Sequence, residues 1–322
     1  MIKIILLIIA VIFFAMNMGG SGIAPSFSAS YGGRMIKKKF AVILFTVFVL
    51  LGAFVAGGNV VKTLSGGIVP REFINLDTAL IMIFSAALTL SLANLLRIPE
   101  STSIVTVGAV VGTGIFFRQI LLRNLFPIFL AWIILPVISY VLTYYLYKSI
   151  YPPSSKNLWV YEKFFAKEKG LRLFTIIASC YGAFAIGTNN VANVVGPLVG
   201  AGMIKPALGF LLVSPFFGLG ALILGKKTIE TFSNEIIPLG NISAPLIVCV
   251  TGTLLIFASV LGFPFPYVQL TCLSILAISS VKNGYKYTMN HKVVRKIFII
   301  WTITPLISAG TAFLLLSLLL RR

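Results

Sequence analysis

Three asparagines stand close together in an apolar stretch of this 322-residue chain. The run Gly187–Asn193 reads GTNNVAN, with amides at Asn189, Asn190 and Asn193. A buried amide without a hydrogen-bond partner costs about 1–3 kcal/mol. Each amide offers two N–H donors and one carbonyl acceptor. The run therefore suits hydrogen bonding to neighbouring helices or to a small polar ligand, and it contributes no charge.

A second polar run lies near the start of the chain and offers a different chemistry. The run Asn17–Ser26 reads NMGGSGIAPS, and the gapless shift that places Gly19 on Gly187 superimposes it on the asparagine run. It supplies backbone N–H groups and the hydroxyls of Ser21 and Ser26. Glycines such as Gly22 let the backbone approach a ligand closely. The two runs therefore predict two unlike halves of one polar site.

The stretches around the two polar runs contain glycine and proline, among them Pro25 and Pro197, and both residue types disfavour the interior of a helix. Residues 18–33 and 188–204 are also too short to cross a hydrocarbon core of ~30 Å. We predict broken or re-entrant pieces at both places, because non-helical backbone at membrane depth survives only beside protein or a watery cavity. The end of a broken helix offers free N–H groups and a positive dipole, which favour an anion.

A second pair of polar motifs begins later apolar segments in each half. Residues Pro99–Ser103 read PESTS in the first half. The counterpart in the second half is Pro264–Pro266, followed by Gln269 and Thr271. Hydroxyls at a helix start can serve as caps, and that interpretation stays open beside a role in ligand binding.

Four sets of hydroxyls, amides and helix N-termini would converge at mid-membrane and form a site for a small anion. No Lys or Arg occurs inside these motifs, so affinity for the anion would come from dipoles and neutral donors. The predicted substrate-binding residues are Asn17, Ser21, Gly22, Ser26, Ser101, Thr102, Ser103, Asn189, Asn190, Asn193, Gln269 and Thr271. Glu100, the acidic residue inside the motifs, is the predicted proton carrier, with a helix cap beside Arg97 as the alternative.

The elements that must position these motifs are long apolar segments. Hydrophobic residues make up 58% of the chain and charged residues 10%, and the mean hydropathy is +1.04. This composition excludes a water-soluble protein, and the continuous apolar runs argue against a β-barrel. We predict an all-α polytopic protein of the plasma membrane. The net charge of +19 lies mostly in short connections, which indicates membrane topology and argues against nucleic acid as a partner.

The chain also contains itself twice. Gly19 aligns with Gly187, and later in each half Trp132 aligns with Trp301 in nearly the same register. This predicts a first transmembrane repeat at residues 1–147, a linker at 148–170 and a second transmembrane repeat at 171–322. The predicted apolar segments are 1–16, 40–57, 78–96, 102–117 and 124–147, then 171–186, 206–225, 241–261, 267–281 and 296–320. Five crossings per repeat invert the second copy, a plan typical of secondary transporters.

Charge predicts the orientation of the segments. Basic residues concentrate at 34–39, in the linker and at 282–296, so these connections are placed in the cytoplasm. The nearly neutral connection 58–77 is placed outside. Both termini then lie outside, as does the connection that carries Arg118 and Arg123.

The run from Gly187 resembles the signature of the inorganic phosphate transporter (PiT) family, G-A-N-D-V-A-N-A. The eight residues from Gly187 read GTNNVANV, and Pro99–Ser103 is similar to the family's second motif, P-x-S-T-T. Both repeats align, so the resemblance covers nearly the full length of the chain. It implies a secondary transporter of a small inorganic oxyanion, with inverted repeats and an outside N-terminus.

Two acids of the family pattern are missing from this chain. The family's Asp corresponds to Asn190 in the second repeat and to Gly22 in the first, where Pro25 also replaces an Asn. The resemblance implies that the acids serve cation coupling and accept hydrogen bonds from a protonated phosphate. Sulfate carries no proton at neutral pH, so a carboxylate would repel it. The whole pattern is similar to the family's bacterial sulfate-permease branch, which implies sulfate import driven by protons.

Other substrates and mechanisms stay open at this point. Phosphate is the second candidate substrate, with sodium or protons as the coupling ion. Thiosulfate, selenate and molybdate are further oxyanions that could share the site. A channel is a rival because broken helices also build pores, and a homodimer is an open alternative to a monomer.

An enzyme is not expected, although Gly19–Gly22 matches the G-x-S-G pattern of intramembrane serine proteases. That chemistry needs a base to activate the serine, and the chain's single histidine, His291, lies in a basic connection. The three cysteines lie singly in apolar segments and indicate no metal site. No cofactor is expected.

Overall fold

The computed structural model describes residues 1–32, 35–96, 100–164, 168–225, 243–290 and 292–320, and these ranges contain helices and turns but no strand. A π-helical turn (Thr63–Gly67) and a 3-10 turn (Arg71–Phe73) join the second helix to the third. The helices are α1 (Ile2–Gly32), α2 (Lys38–Lys62), α3 (Leu76–Leu95), α4 (Thr102–Phe117), α5 (Leu122–Ile150), α6 (Leu158–Phe164), α7 (Glu168–Asn190), α8 (Ala192–Gly200), α9 (Pro206–Ile223), α10 (Ser243–Val260), α11 (Tyr267–Asn283), α12 (Tyr285–Met289) and α13 (Lys292–Leu320).

The predicted apolar segments coincide with these helices. Within the described ranges, eight helical stretches are long and apolar enough to cross a membrane, and α4 is a shorter apolar helix. Large apolar side chains such as Leu130 and Leu306 point outward and are 45% and 67% exposed. An apolar exterior of this extent suits lipid rather than water. The predicted all-α multi-pass membrane fold is confirmed.

The interfaces between helices come in matched pairs. α1 packs against α9, and α2 packs against α7, so the first two long helices of each half exchange partners. α4 packs against α13, and α5 packs against α11 in the same exchanged manner. The halves therefore interlock instead of forming separate bodies. The boundaries of the repeats and the inversion of the second copy stay predictions.

Two glycine crossings build the exchanged core. A methyl group at Gly19 of α1 would overlap the backbone of Phe217 in α9, and one at Gly187 of α7 would overlap the backbone of Val49 in α2. The aligned glycines Gly52 and Gly220 make the reciprocal contacts with the backbones of Phe184 and Met16. Small residues let membrane helices approach to backbone contact. The repeated glycines of the sequence are therefore packing positions.

The predicted break at residues 18–33 is wrong for the described part of that range. α1 continues without interruption to Gly32, through Gly19, Gly20 and Pro25. Gly19 and Gly20 lie against α9, at Phe217 and Leu224. Tertiary packing of this kind overrides the weak helix propensity of glycine. Pro25 is accommodated as well, because membrane helices tolerate proline where neighbouring groups satisfy the freed carbonyl.

Interruptions occur at other places in the described chain. α7 and α8 are separated by a turn at Val191, so residues 188–204 form a kinked helix followed by a turn rather than an unwound segment. Residues 100–101 precede α4 in a non-helical conformation, and residues 261–266 precede α11 likewise. In each half, therefore, non-helical backbone precedes the helix that carries the second polar motif, α4 or α11.

Several contacts join connections that the charge pattern places on the same side. The Leu121 N–H donates to the carbonyl of Ile68 at 2.9 Å, which puts the connection of Arg118 and Arg123 beside connection 58–77. Lys3 and Asp77 form an ion pair at 2.8 Å. The Lys38 ammonium donates to the Leu222 carbonyl at 2.8 Å. The side of the membrane on which each connection lies stays a prediction.

Candidate functional site

Asn189 in the last turn of α7 is the central connection of the candidate site. Its side-chain Nδ2 donates to the Ser259 hydroxyl and to the Phe263 carbonyl, both at 2.9 Å. Its Oδ1 accepts from the Phe265 backbone N–H at 2.8 Å and from the Ser103 hydroxyl at 3.3 Å. The residue is fully buried. One amide therefore joins α7 to α10, to the backbone before α11 and to the first turn of α4.

Asn193 in the first turn of α8 reaches the same part of α4. Its Nδ2 donates to Thr102 Oγ1 at 3.1 Å and to Ser103 Oγ at 3.2 Å. Asn189 and Asn193 are four residues apart and lie on a common side, as they would in a regular helix. The turn at Val191 therefore does not separate the two amides. The predicted grouping of the second-repeat amides with the hydroxyls of the first repeat is present in the structure.

Two amide carbonyl oxygens beside this cluster have no hydrogen-bond partner in the structure. They are Asn190 Oδ1 and Asn193 Oδ1, both buried. Native proteins satisfy most buried polar atoms, so an unsatisfied atom in a polar cluster marks a place for a ligand, a water molecule or an ion. Asn190 is 6% exposed.

The first turns of α4 and α11 both lack a side-chain cap. Ser101 occupies the N-cap position of α4 and Pro266 that of α11, and neither makes a capping hydrogen bond. The hydroxyls of the first motif are therefore not used as caps, which was the competing interpretation. Free N–H groups at a helix start favour an anion, aided by the positive end of the helix dipole. Asn189 forms hydrogen bonds with Ser103 at the start of α4 and with Phe265 just before α11.

Glu100 lies at the entrance to α4 and is 2% exposed. Its Oε1 accepts from the Ser101 backbone N–H at 2.8 Å, while its Oε2 has no partner. The Thr304 side chain of α13 lies beside the carboxyl. A buried carboxylate with one unpaired oxygen is costly unless it gains a proton or a counter-charge. The geometry is compatible with the predicted role in proton transfer. Arg97 lies outside the described residues.

The predicted residues of α11 contribute less to the cluster. Thr271 Oγ1 donates to the Tyr267 carbonyl of its own helix at 3.1 Å. Gln269 is 8% exposed, and its Oε1 has no partner. The structure thus gives Gln269 an unused acceptor near the start of α11, whereas the Thr271 hydroxyl is already bound.

The predicted residues of α1 bind within their own helix or to α3. Ser21 donates to the Met18 carbonyl at 3.1 Å, and Ser26 donates to the carbonyls of Gly22 and Ile23, both at 3.2 Å. Gly22 faces the Phe45 ring and the Ile186 side chain.

Asn17, also on α1, donates to the Phe13 carbonyl at 2.9 Å and accepts from Asn94 of α3 at 3.4 Å. No hydrogen bond joins the described side chains of α1 to Asn189 or Asn193. The part of the site predicted from the α1 run is therefore not joined by hydrogen bonds to the asparagines of α7 and α8 in this structure.

Sequence reasoning missed the backbone of residues 263–265 and the hydroxyl of Ser259. Backbone groups leave no residue signature, so the role of Phe263 and Phe265 as partners of Asn189 was not accessible from the sequence. Ser259 ends an apolar helix far along the chain from Asn189, and a single hydroxyl there carries no signal. Thr304 beside Glu100 was likewise not predicted.

The alternative of a serine nucleophile gains no support from the geometry. Ser21 Oγ is engaged with a backbone carbonyl, and no titratable side chain is its partner within the described residues. His291 lies outside the described residues.

Comparisons with known proteins agree with one another on the class. A family model described as the phosphate transporter family matches residues 18–312. The chain is 40% identical over 311 residues to a sulfate permease of Bacillus subtilis, covering 96% of this chain and 86% of the relative. It is 26% identical over 305 residues to a putative phosphate permease of Methanocaldococcus jannaschii, covering 92% of each.

A solved structure titled "The sodium-dependent phosphate transporter" has the same fold. The TM-score is 0.84, and the match covers all of both chains at 21% sequence identity. At that identity the likeness establishes the arrangement of the helices and leaves the substrate open. The relatives that match over most of this chain are permeases, which points away from an enzyme.

Proposed function

The chain belongs to the phosphate transporter family, and on that premise we propose that it imports sulfate by secondary active transport coupled to protons. The buried cluster around Asn189 and the starts of α4 and α11 is the proposed substrate site. The anion would reach it from alternate sides of the membrane as the exchanged helix pairs rearrange. The two uncapped helix starts supply the N–H donors that an oxyanion needs.

The observation that carries the choice of sulfate is the buried, unpaired amide of Asn190. The family pattern has an Asp there, and its carboxylate would accept a hydrogen bond from a protonated phosphate. Sulfate has no proton to donate and would meet a second negative charge. For two unit charges at 4 Å, such a repulsion is about 4 kcal/mol at an effective dielectric of 20. An amide removes the repulsion and can rotate to present N–H donors. The identity to a sulfate permease supports the same choice.

Protons are the proposed coupling ion because Glu100 is a buried carboxyl beside the cluster. It is joined to Ser101, and the next two residues bind Asn193. A proton bound there would offset part of the charge that sulfate brings into an apolar region. Because no acid replaces the family's Asp at Gly22 or Asn190, sodium has lost the carboxylates that the resemblance assigns to it.

Phosphate is the second candidate, because the archaeal relative is a putative phosphate permease and the fold matches a phosphate transporter. In that case sodium or protons would drive uptake. Thiosulfate, selenate and molybdate have the size and acceptor oxygens to compete at the same donors. A channel would conduct the anion without accumulating it.

The test is uptake of radiolabelled sulfate and phosphate into proteoliposomes, with and without an inward proton gradient. We expect sulfate to accumulate only when the proton gradient is present, and we expect no uptake of phosphate. Accumulation of phosphate driven by sodium would overturn the assignment. Uptake that never exceeds equilibrium would indicate a channel. Glu100→Gln should still bind sulfate but lose the dependence on the proton gradient.

A further inference from the structure

Matched hydrogen bonds show how the last long helix of each half holds its partner. Ser139 of α5 donates to the Leu270 carbonyl of α11 at 3.1 Å. The aligned residue Ser308 of α13 donates to the Val105 carbonyl of α4 at 2.6 Å. Since Val105 and Leu270 are both the fourth residue of their helices, the same bond is made twice. Other polar groups on α5 and α13 can therefore be compared position by position.

The two aligned tryptophans break this correspondence. Trp132 of α5 donates its indole N–H to the Pro264 carbonyl, just before α11, at 2.9 Å. Trp301 of α13 is 9% exposed, and its Nε1 has no partner. It packs with Cys272 of α11 in a small apolar cluster. A buried indole N–H normally finds an acceptor, so the unpaired one needs an explanation.

Glu100 is the candidate acceptor, because one of its carboxyl oxygens is also buried and unpaired. Thr304, three residues after Trp301 and thus on the same face of α13, lies beside the Glu100 carboxyl. Cys272, which packs with Trp301, is close enough to Glu100 for the two to interact electrostatically. Glu100 Oε2 and Trp301 Nε1 are therefore a buried acceptor and a buried donor in one neighbourhood, and both are unpaired.

We propose that Trp301 is the positioning residue for Glu100: its indole N–H donates to the carboxylate whenever Glu100 is ionised. The bond is not made in this structure. When formed, it would hold the ionised side chain against α13 and lower the cost of its charge, since hydrogen bonds to charged groups are the stronger ones. The proposal rests on the proposed proton coupling for its role in transport, but the contact itself does not.

The surroundings of Glu100 contain few competing groups. Among the described residues on the helices packed around it, Cys272 of α11 is the titratable neighbour. α13 presents the neutral hydroxyl of Thr304. If the fluorescence of Trp301 changes with pH, and the change is absent in Glu100→Gln, the change is therefore due to protonation of the Glu100 carboxyl.

Tryptophan fluorescence tests the contact without transport. The chain has three tryptophans, so Trp132→Phe with Trp159→Phe leaves Trp301 alone, and excitation at the red edge avoids tyrosine. We expect its emission to change with pH as Glu100 titrates, and Glu100→Gln to remove the change. The matched control is a variant in which Trp132 is the single remaining tryptophan. Its indole N–H donates to a carbonyl, so its emission should not change with pH. Emission from Trp301 that is constant with pH, or that titrates equally in Glu100→Gln, would overturn the proposal.

Uptake at graded pH tests the consequence. Trp301→Phe keeps the ring and removes the donor, so the ionised carboxylate loses support and holds its proton to higher pH. We expect the pH of half-maximal sulfate uptake to rise by about one unit, the size of one charge-assisted hydrogen bond. Trp132→Phe should change the rate but leave that midpoint in place. An unmoved midpoint in Trp301→Phe overturns the role in transport. If wild-type uptake ignores pH while the Trp301 emission titrates, proton coupling fails and the contact stands.

Discussion

α1 and α7 occupy matched positions in the two halves but use their polar side chains in opposite ways. Both cross a partner helix at an aligned glycine, Gly19 or Gly187, so the backbone packing is the same. On α7, Asn189 bonds to three other parts of the molecule. On α1, the aligned Ser21 bonds to its own helix. The glycine crossings are therefore alike in the two halves, whereas only Asn189 of this aligned pair makes hydrogen bonds to other elements.

The reason is the reach of the two side chains. A serine hydroxyl inside a helix bonds readily to a carbonyl three or four residues earlier, which leaves nothing for a neighbour. An asparagine carries its donor and acceptor one bond further out and cannot satisfy both on its own helix. It therefore bridges to other elements, and Asn189 has partners on α4, α10 and the backbone before α11.

Of the substitutions that test the difference between α1 and α7, Asn189→Ala should have the largest effect on sulfate uptake and stability. It leaves the buried N–H of Phe265 and the buried carbonyl of Phe263 without a side-chain partner, at about 1–3 kcal/mol each. We expect sulfate uptake to fall by about a hundredfold and the thermal unfolding midpoint in detergent to drop. Uptake above half of the wild-type rate would contradict the central role of Asn189.

Asn190→Asp restores the acid of the family pattern and should have the next largest effect. The added charge would repel sulfate. We expect sulfate affinity to weaken by about ten- to thirtyfold, or about 1.4–2 kcal/mol, which is less than the unit-charge repulsion of about 4 kcal/mol because water and ions screen it. Competition binding with unlabelled sulfate and phosphate measures the change. Unaltered sulfate uptake would break the argument from the missing acid.

Asn193→Ala should have a moderate effect. It removes one donor shared between Thr102 and Ser103, and each of these hydroxyls can turn to another partner. A net loss of about 1 kcal/mol predicts a fall in uptake of about fivefold. Asn193→Ser retains a donor for the hydroxyl of Thr102 or Ser103, so its uptake should be faster than that of Asn193→Ala. Equal uptake rates for Asn193→Ser and Asn193→Ala would indicate that the amide itself binds substrate.

Ser21→Ala should have the smallest effect, because the hydroxyl bonds only to the Met18 carbonyl of α1. The expected change in stability is within about 0.5 kcal/mol, and uptake should stay within twofold of the wild-type rate. A loss as large as that of Asn189→Ala would show that α1 binds the substrate in another state of the cycle, and the contrast between the halves would then be a property of this state.

Much of the fold and part of the site were predictable from the sequence. Apolar length predicted the long helices, and the register that aligns Gly19 with Gly187 found the glycines that later proved to be crossings. The cluster of Asn189 and Asn193 with Thr102 and Ser103 followed from the rule that polar groups inside a membrane must find partners. The break in α1 was wrong because Gly19 was interpreted by local propensity, whereas it packs against α9.

The sequence by itself determined which segments are apolar helices, how the two halves correspond and which polar residues are too costly to face lipid. Those properties depend on residue type and spacing. Only the tertiary structure decided which atoms pair: that Asn189 binds the backbone at Phe263 and Phe265, that Ser21 stays within its helix, and that the indole N–H of Trp301 is unpaired. Such pairings depend on distances between helices far apart in the chain, and residue order alone does not encode those distances.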